Sequence, residues 1–162
     1  FRVRVEVVGA GVDRAVVVDA GDDRAAAAMA RPLRRGHVLV AEDNAVNRLV
    51  IEAMLGKLGF RVSLKENGQE AVGAILNDEQ FDLVLMDLSM PVLDGCSATE
   101  QIRRWETENN RPRLPIIAFT AGAFEEDRVR SLAAGMDDFL TKPVNRDALQ
   151  GLLDKWLRPP PA

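Results

Sequence analysis

The chain has 162 residues, of which 47% are hydrophobic and 28% charged, and its formal net charge is -4 at pH 7. This size and composition suit a globular protein with one ordinary core and a small additional segment. The negative charge and the lack of a basic run disfavour nucleic-acid binding, and no apolar stretch is long enough to span a bilayer. We therefore expect no nucleic-acid partner, no membrane contact by this segment and a cytoplasmic setting. Any membrane anchor would belong to a longer parent protein.

The first 36 residues do not follow the pattern of the remainder. FRVRVEVV alternates like a strand, and DDRAAAAMARPLRRG is typical of an Ala-rich helix that runs into a basic linker. We interpret residues 1–36 as the tail of a preceding domain plus a linker, and the start at Phe1 as the sign of a longer protein. GAGVDR resembles part of a dinucleotide-binding loop, but Arg14 replaces the third glycine and no room remains for the helix.

From residue 37 onward, short apolar runs alternate with amphipathic segments. HVLVAE predicts a strand over 37–42, followed by a helix with Asn44 as its N-cap and Gly59 as its stop. Apolar residues recur in this helix at helical spacing: Val46, Leu49, Val50, Ala53 and Met54. A second, alternating strand is predicted over 60–66 and a second helix over 67–77.

The second half continues the same alternation. DLVLMD (82–87) is a continuous apolar run, as expected for a strand covered on both faces, and a helix follows from about 97 to 108. A fourth strand is predicted near 115–119, then a helix ending at Gly135, a fifth strand and a last helix capped by Asn145. One face of that helix carries Leu149, Leu152, Leu153 and Trp156. Five such units predict a doubly wound parallel α/β sheet, because right-handed crossovers place helices on both faces.

Polar residues stand where four of the predicted strands end. Glu42 and Asp43 end the first, Asp87 the third, Thr120 the fourth, and the fifth leads to Lys142. Taken singly, each has a simpler explanation as a helix cap, a turn residue or a solvated charge. Their recurrence at successive strand ends favours a site, because ligands of open parallel sheets bind outside the carboxyl ends of the strands.

The residue types in this group suit phosphate chemistry. Three carboxylates within a few ångströms repel one another unless a cation offsets their charge. Mg²⁺ prefers oxygen ligands and typically joins one or two carboxylates to a phosphate. Lys142 supplies a positive charge and Thr120 a hydrogen bond for the same phosphate. The sequence therefore predicts a site that handles a phosphoryl group with Mg²⁺.

Four motifs resemble the receiver domain of the response-regulator family: VLVAEDNAVN, LVLMDLSMPVLDG, IIAFTA and DDFLTKPV. Their order and spacing are specific, and the similarity extends from residue 37 to about residue 157. The resemblance implies a flavodoxin-like (βα)5 fold with strand order 2-1-3-4-5. We assign the receiver domain to residues 37–158, with residues 159–162 as a C-terminal tail.

The same resemblance implies roles for the acidic residues. Asp87 would accept a phosphoryl group from a phosphohistidine of a histidine kinase or a histidine phosphotransfer protein. Asp43, Asp87 and the backbone carbonyl of Ser89 would bind Mg²⁺ directly, and Glu42 would bind it through water. The domain would catalyse its own phosphorylation and dephosphorylation.

Thr120 and Lys142 would hold the phosphoryl oxygens, with Lys142-Pro143 expected to be a cis peptide. Phe139 matches the switch aromatic of the family, and with Thr120 it would report phosphorylation at the neighbouring surface. Since the chain contains no Tyr, the ring of Phe139 has no hydroxyl to hold it outward. We therefore expect phosphorylation to shift the population between two positions of this ring, with a modest energy gap, rather than to fix the ring in one position.

We interpret the chain as the C-terminal receiver of a hybrid sensor histidine kinase, acting within a phosphorelay. Strand-like sequence precedes the receiver, and only RPPPA follows its last helix. The alternative is a response regulator that acts as a phosphorylation-switched protein-binding module. An aspartate-based phosphatase is disfavoured, because Ser89 stands where such enzymes carry a second aspartate. His37 begins a strand, so we expect a structural role for it and a donor histidine elsewhere.

Overall fold

The computed structural model describes residues 36–122 and 124–157, within which strands and helices alternate. The strands are β1 (His37–Ala41), β2 (Arg61–Lys65), β3 (Leu83–Asp87), β4 (Ile116–Thr120) and β5 (Asp138–Thr141). The helices are α1 (Ala45–Lys57), α2 (Gly68–Leu76), α3 (Gly95–Glu108), α4 (Glu125–Ala134) and α5 (Arg146–Leu157). The elements predicted before residue 36 lie outside the described residues, so the domain limits remain predictions.

The five strands form one parallel sheet in the order β2-β1-β3-β4-β5. This confirms the predicted flavodoxin-like order, with helices on both faces. Every residue of β3 and β4 is buried, as their continuous apolar runs predict. Alternate residues of a strand face opposite sides, so Leu85 and Met86 enter two separate core clusters.

The predicted caps hold the helix ends. The side chain of Asn44 accepts from the N–H groups of two residues in the first turn of α1, and Asn145 accepts from Ala148 N–H at 2.7 Å. Helix α3 begins at Gly95, two residues before the predicted start near residue 97. The reason is that the Asp94 side chain accepts from Ser97 N–H at 2.9 Å and caps the helix earlier.

Helix α1 buries a different face from the one that the spacing of its apolar residues predicts. Val46, Leu49 and Val50 are 67%, 64% and 43% exposed. Ile51 and Leu55 are buried instead, one turn apart on the face that packs against the first core cluster. The helix carries more apolar residues than one face can bury, so these three and the smaller Ala53 remain at the surface.

His37 has the structural role predicted for it. Its ring nitrogens lie 2.7 Å from the Ser63 hydroxyl and 2.9 Å from the Gln80 carbonyl oxygen. The ring also packs on Phe81, with 4.6 Å between centroids. These contacts tie the start of β1 to β2 and to the segment before β3.

Across the ranges that the structure covers, every helix is too short or too polar to cross a membrane.

Two glycines allow the loop after β3 to approach its neighbours closely. Gly68 N–H donates to the Leu93 carbonyl oxygen at 3.1 Å, and a Cβ on Gly68 would overlap that same oxygen. A Cβ on Gly95 would overlap the carbonyl oxygen of Asp87. The backbone segments beside Asp87 therefore lie closer together than a side chain at Gly68 or Gly95 would allow.

We predict that Gly68→Ala destabilises the domain by about 2 kcal/mol, because the loop after β3 must move away from α2. Gly73→Ala in the same helix is the matched control, since a Cβ there meets no atom within 4 Å. It should stabilise the domain by about 0.5–1 kcal/mol through helix propensity. Urea unfolding measures both values, and a similar effect of the two substitutions would contradict the close approach.

Candidate functional site

Strand register brings the predicted polar residues to one edge of the sheet. β1 and β3 pair so that Glu42 follows β1 at the level of Asp87. β4 and β5 pair through Thr120, and the backbone N–H of Lys142 donates to the Thr120 carbonyl oxygen at 2.7 Å. Four segments distant in the sequence thus end at the same place.

The ammonium group of Lys142 lies between two carboxylates. Its Nζ is 2.6 Å from Glu42 Oε2 and 3.0 Å from Asp87 Oδ2. Glu42 is completely buried and Asp87 is 4% exposed. The Lys142-Pro143 peptide bond is cis, as predicted. The lysine thereby offsets part of the negative charge that the sheet edge concentrates.

Burial sets the protonation behaviour of the site. Desolvation raises the pKa of Asp87 to about 6, although hydrogen bonds from Lys142 and from the Ser89 N–H oppose the shift. The Ser89 N–H donates to Asp87 Oδ1 at 3.1 Å. Burial also lowers the pKa of Lys142, but the two neighbouring carboxylates, Glu42 and Asp87, outweigh it and hold the pKa above its ordinary value.

The acidic residues fit a hard divalent cation. One carboxylate oxygen from each of Glu42, Asp43 and Asp87 lies within 4.8 Å of the other two. Glu42 Oε1 accepts from Asn44 N–H at 3.0 Å, whereas the buried Oε2 receives no aligned hydrogen bond. The close contact of Oε2 with Lys142 is thus one of charge, and the oxygen retains a lone pair for a cation or its bound water.

Thr120 and Phe139 have their side-chain contacts outside this acidic group. The Thr120 hydroxyl donates to the Gly122 carbonyl oxygen at 3.1 Å, with Asp127 Oδ2 at 3.5 Å. The Phe139 ring is half-buried, and the guanidinium carbon of Arg128 lies 5.3 Å from its centroid. Both residues line a cavity of about 190 Å³ beside α4. The structure therefore separates the predicted residues into an acidic group and an adjoining cavity.

Sequence reasoning missed two features of the site. Val92 has φ 70°, in the left-handed region that β-branched residues rarely adopt, and Leu93 N–H donates to the Pro91 carbonyl oxygen at 2.8 Å. Nothing in the residue types signals this turn, since no glycine stands there. Arg48 is the second: its guanidinium bonds the loop that carries Glu42 and Asp43. An arginine one turn into the following helix was the only available signal.

Fold and site together define a doubly wound α/β domain with an acidic group at the carboxyl edge of its sheet. A family model described as the response regulator receiver domain matches residues 38–154. The chain belongs to the response regulator receiver domain family.

Relatives with curated names include sensor kinases. The chain is 45% identical over 123 residues to the sensor protein GacS of Pseudomonas syringae pv. syringae, covering 76% of this chain but 14% of that protein. It is 41% identical over 125 residues to the hybrid signal transduction histidine kinase A of Dictyostelium discoideum, covering 77% of this chain and 6% of that protein. The chain thus spans a small fraction of these relatives.

Solved structures show the same fold. The receiver domain of the sensor histidine kinase PA1611 of Pseudomonas aeruginosa PAO1, with a magnesium ion in its active site cleft, is 48% identical at a TM-score of 0.68, covering 75% of this chain and 97% of that one. The receiver domain of Saccharomyces cerevisiae Ssk1, solved with the phosphotransfer protein Ypd1, is 37% identical at a TM-score of 0.71. That match covers 75% of this chain and 88% of that one.

We predict that Asp87→Asn stabilises the metal-free domain, more at pH 7 than at pH 5. The pKa of Asp87 is raised to about 6 in the fold, so the folded state favours the protonated carboxyl. Wild-type stability is therefore lost as pH rises from the ordinary aspartate pKa through 6, and asparagine avoids this loss. The advantage should grow by about 1 kcal/mol between the two pH values.

Urea unfolding in the presence of a chelator measures this difference. Asp154→Asn is the control, since Asp154 is exposed on α5. An advantage of Asp87→Asn that is equal at both pH values, or that shrinks as pH rises, would show that burial does not penalise the charged carboxylate.

Proposed function

We propose that the domain accepts a phosphoryl group on Asp87 from a phosphohistidine, as one step of a phosphorelay. One observation carries the proposal. The Asp87 carboxylate ends a fully buried strand and is held by Lys142 and the Ser89 N–H, in a chain of the receiver family. A carboxylate fixed in this way is aimed at an incoming electrophile.

The chemistry needs one bond exchange. A carboxylate oxygen of Asp87 bonds to phosphorus while the P–N bond breaks, and the imidazole leaves with the electron pair of that bond. Lys142, already 3.0 Å from Asp87 Oδ2, offers its charge to the phosphoryl oxygens. Asp43, Asp87 and the Ser89 carbonyl would hold Mg²⁺ directly, and Glu42 would hold it through water. Mg²⁺, when bound, offsets the charge of the carboxylates and of the phosphoryl group.

We further propose that Thr120 and Phe139 read out the phosphorylated state. Phosphoryl oxygens beside Asp87 give the Thr120 hydroxyl a stronger acceptor than the Gly122 carbonyl that it now contacts. The cavity beside α4 has room for the Phe139 ring to move. The contact of Arg128 with that ring is worth about 0.5–1 kcal/mol, so a modest energy separates the two positions. This cavity favours the second candidate function, a phosphorylation-switched protein-binding module.

The whole protein is proposed to be a hybrid sensor histidine kinase. Support comes from the relatives, among them GacS and the kinases of Dictyostelium discoideum, whose receivers this chain resembles. Residues 1–36 would then be the tail of a preceding domain and a linker. The phosphohistidine would come from a kinase domain or from a phosphotransfer protein, the class to which the Ypd1 partner of Ssk1 belongs.

The exposed apolar residues of α1 suit such a partner. Val46, Leu49 and Val50 lie in the first two turns of the helix, directly after the loop that carries Asp43. A donor histidine must reach Asp87 at this edge of the sheet, so its protein would cover the start of α1. Burying three apolar side chains favours association by about 25 cal/mol for each Å² removed from water.

We predict that a small-molecule phosphodonor adds one phosphoryl group to the wild-type domain in the presence of Mg²⁺. Asp87→Asn and the chelated wild type should gain none, because the nucleophile or the bound cation is then missing. Intact mass measures the product. A phosphoryl mass on the Asp87→Asn variant, or a rate unaffected by chelator, would refute the assignment.

We predict that Leu49→Glu slows phosphoryl transfer from phosphorylated Ypd1 about tenfold while leaving the small-molecule reaction unchanged. The glutamate places a charge on the proposed docking surface without touching the acidic group. Leu132→Glu on α4 is the matched control, since Leu132 is also exposed, at 52%. The proposal fails if both substitutions slow protein-borne transfer equally, or if both donors are slowed by Leu49→Glu.

A further inference from the structure

Arg48 joins the acidic loop to helix α1. Its Nη1 donates to the carbonyl oxygens of Glu42 and Asp43, at 2.8 and 2.9 Å. Its Nη2 donates to Glu66 Oε1 at 2.9 Å, in the loop after β2. The Arg48 side chain is 14% exposed, whereas that of Glu66 is 68% exposed. The arginine is thus largely buried and donates to two successive carbonyl groups at once.

The carboxylate of Asp43 depends on this backbone for its position. Glu42 has further anchors, because Asn44 N–H and the Lys142 ammonium both contact its carboxylate. Asp43 is exposed, and within residues 36–122 and 124–157 its carboxylate makes no hydrogen bond or ion pair. Its oxygen nevertheless lies within 4.8 Å of oxygens from Glu42 and Asp87. The backbone direction at Asp43 therefore decides whether its oxygen joins the group.

We infer that Arg48 is a positioning residue for the divalent-cation site: by holding the Glu42 and Asp43 carbonyls, it turns the Asp43 carboxylate toward Asp87. This inference rests on the proposed use of the acidic group to bind Mg²⁺. Residues that orient a metal ligand without touching the metal typically contribute about ten- to a hundredfold to its affinity.

Two other roles for Arg48 predict different results. If the arginine acted only through its positive charge, it would repel a cation, and its removal would tighten Mg²⁺ binding. If it served only to join α1 to the loop after β2, its removal would lower stability and leave Mg²⁺ affinity unchanged. Lysine keeps the charge but cannot reproduce a planar fork on two carbonyls and a carboxylate. Substitution by lysine therefore separates geometry from charge.

The experiment is a calorimetric titration of Mg²⁺ into the wild type and the variants Arg48→Lys, Arg48→Gln and Glu66→Gln. We expect about tenfold weaker binding for both Arg48 variants. Glu66→Gln should stay within about twofold of the wild type, because the amide oxygen still accepts from Arg48 and both carbonyl contacts remain. Urea unfolding of each variant measures any loss of stability separately.

Each alternative result has a definite meaning. Tighter binding by Arg48→Gln with unchanged binding by Arg48→Lys would assign a role of charge alone and overturn the inference. Unchanged affinity in both variants with lowered stability would assign a role in the fold alone. A wild type that does not bind Mg²⁺ would refute the cation site, and the inference with it, whereas wild-type binding with unaffected variants refutes only the role of Arg48.

A measurement without metal tests the same geometry. The N–H groups of Val46 and Asn47 donate to the Asn44 side chain, directly after the loop that Arg48 holds. Hydrogen exchange at these two amides should be about tenfold faster in both Arg48 variants than in the wild type, and unchanged in Glu66→Gln. Equal exchange in all four proteins would show that the loop keeps its conformation without the arginine and would overturn the inference.

Discussion

The contact of Lys142 with two buried carboxylates organises the carboxyl edge of the sheet. Glu42 and Asp87 come from neighbouring strands, and neither ion is stable in a poorly hydrated place without a partner. One ammonium serves both, yet the nearby Asp43 adds a third carboxylate, so negative charge remains in excess. That excess is what a divalent cation would offset. The raised pKa of Asp87 reflects the same burial.

Close backbone packing keeps this arrangement in place. The loop after β3 passes so near to α2 and to the start of α3 that Gly68 and Gly95 tolerate no Cβ. Val92 holds a left-handed conformation within the same loop. Strain and close approach are tolerated at functional sites when the surrounding structure holds them firmly. Here the core cluster on one side of the sheet supplies that support, because Met90 belongs to it and Leu88 and Leu93 pack against it.

Helix α1 serves the site through three different surfaces. Its buried face, with Ile51 and Leu55, fixes the helix against the sheet. Arg48 reaches back from its second turn to the acidic loop, and Val46 and Leu49 remain exposed next to that loop. A helix that begins immediately after a pair of acidic residues therefore combines core packing, a contact with the acidic loop and an exposed apolar patch within a few turns. As a result, the apolar residues of α1 do not all lie on one buried face.

Much of this fold could be predicted from the sequence alone. Buried runs such as 82–87 and caps such as Asn44 and Asn145 record interactions within one strand or one turn, so local pattern suffices to locate them. The positions of Asp87 and Lys142 at strand ends, and hence their meeting, follow from the rules of parallel sheets. Tertiary structure alone decided which face of α1 is buried, which acceptor the Thr120 hydroxyl donates to and the hydrogen bonds of Arg48 to the acidic loop. These features depend on how whole elements pack and on which carbonyl groups then come within reach, and no local pattern of residue types records such distances.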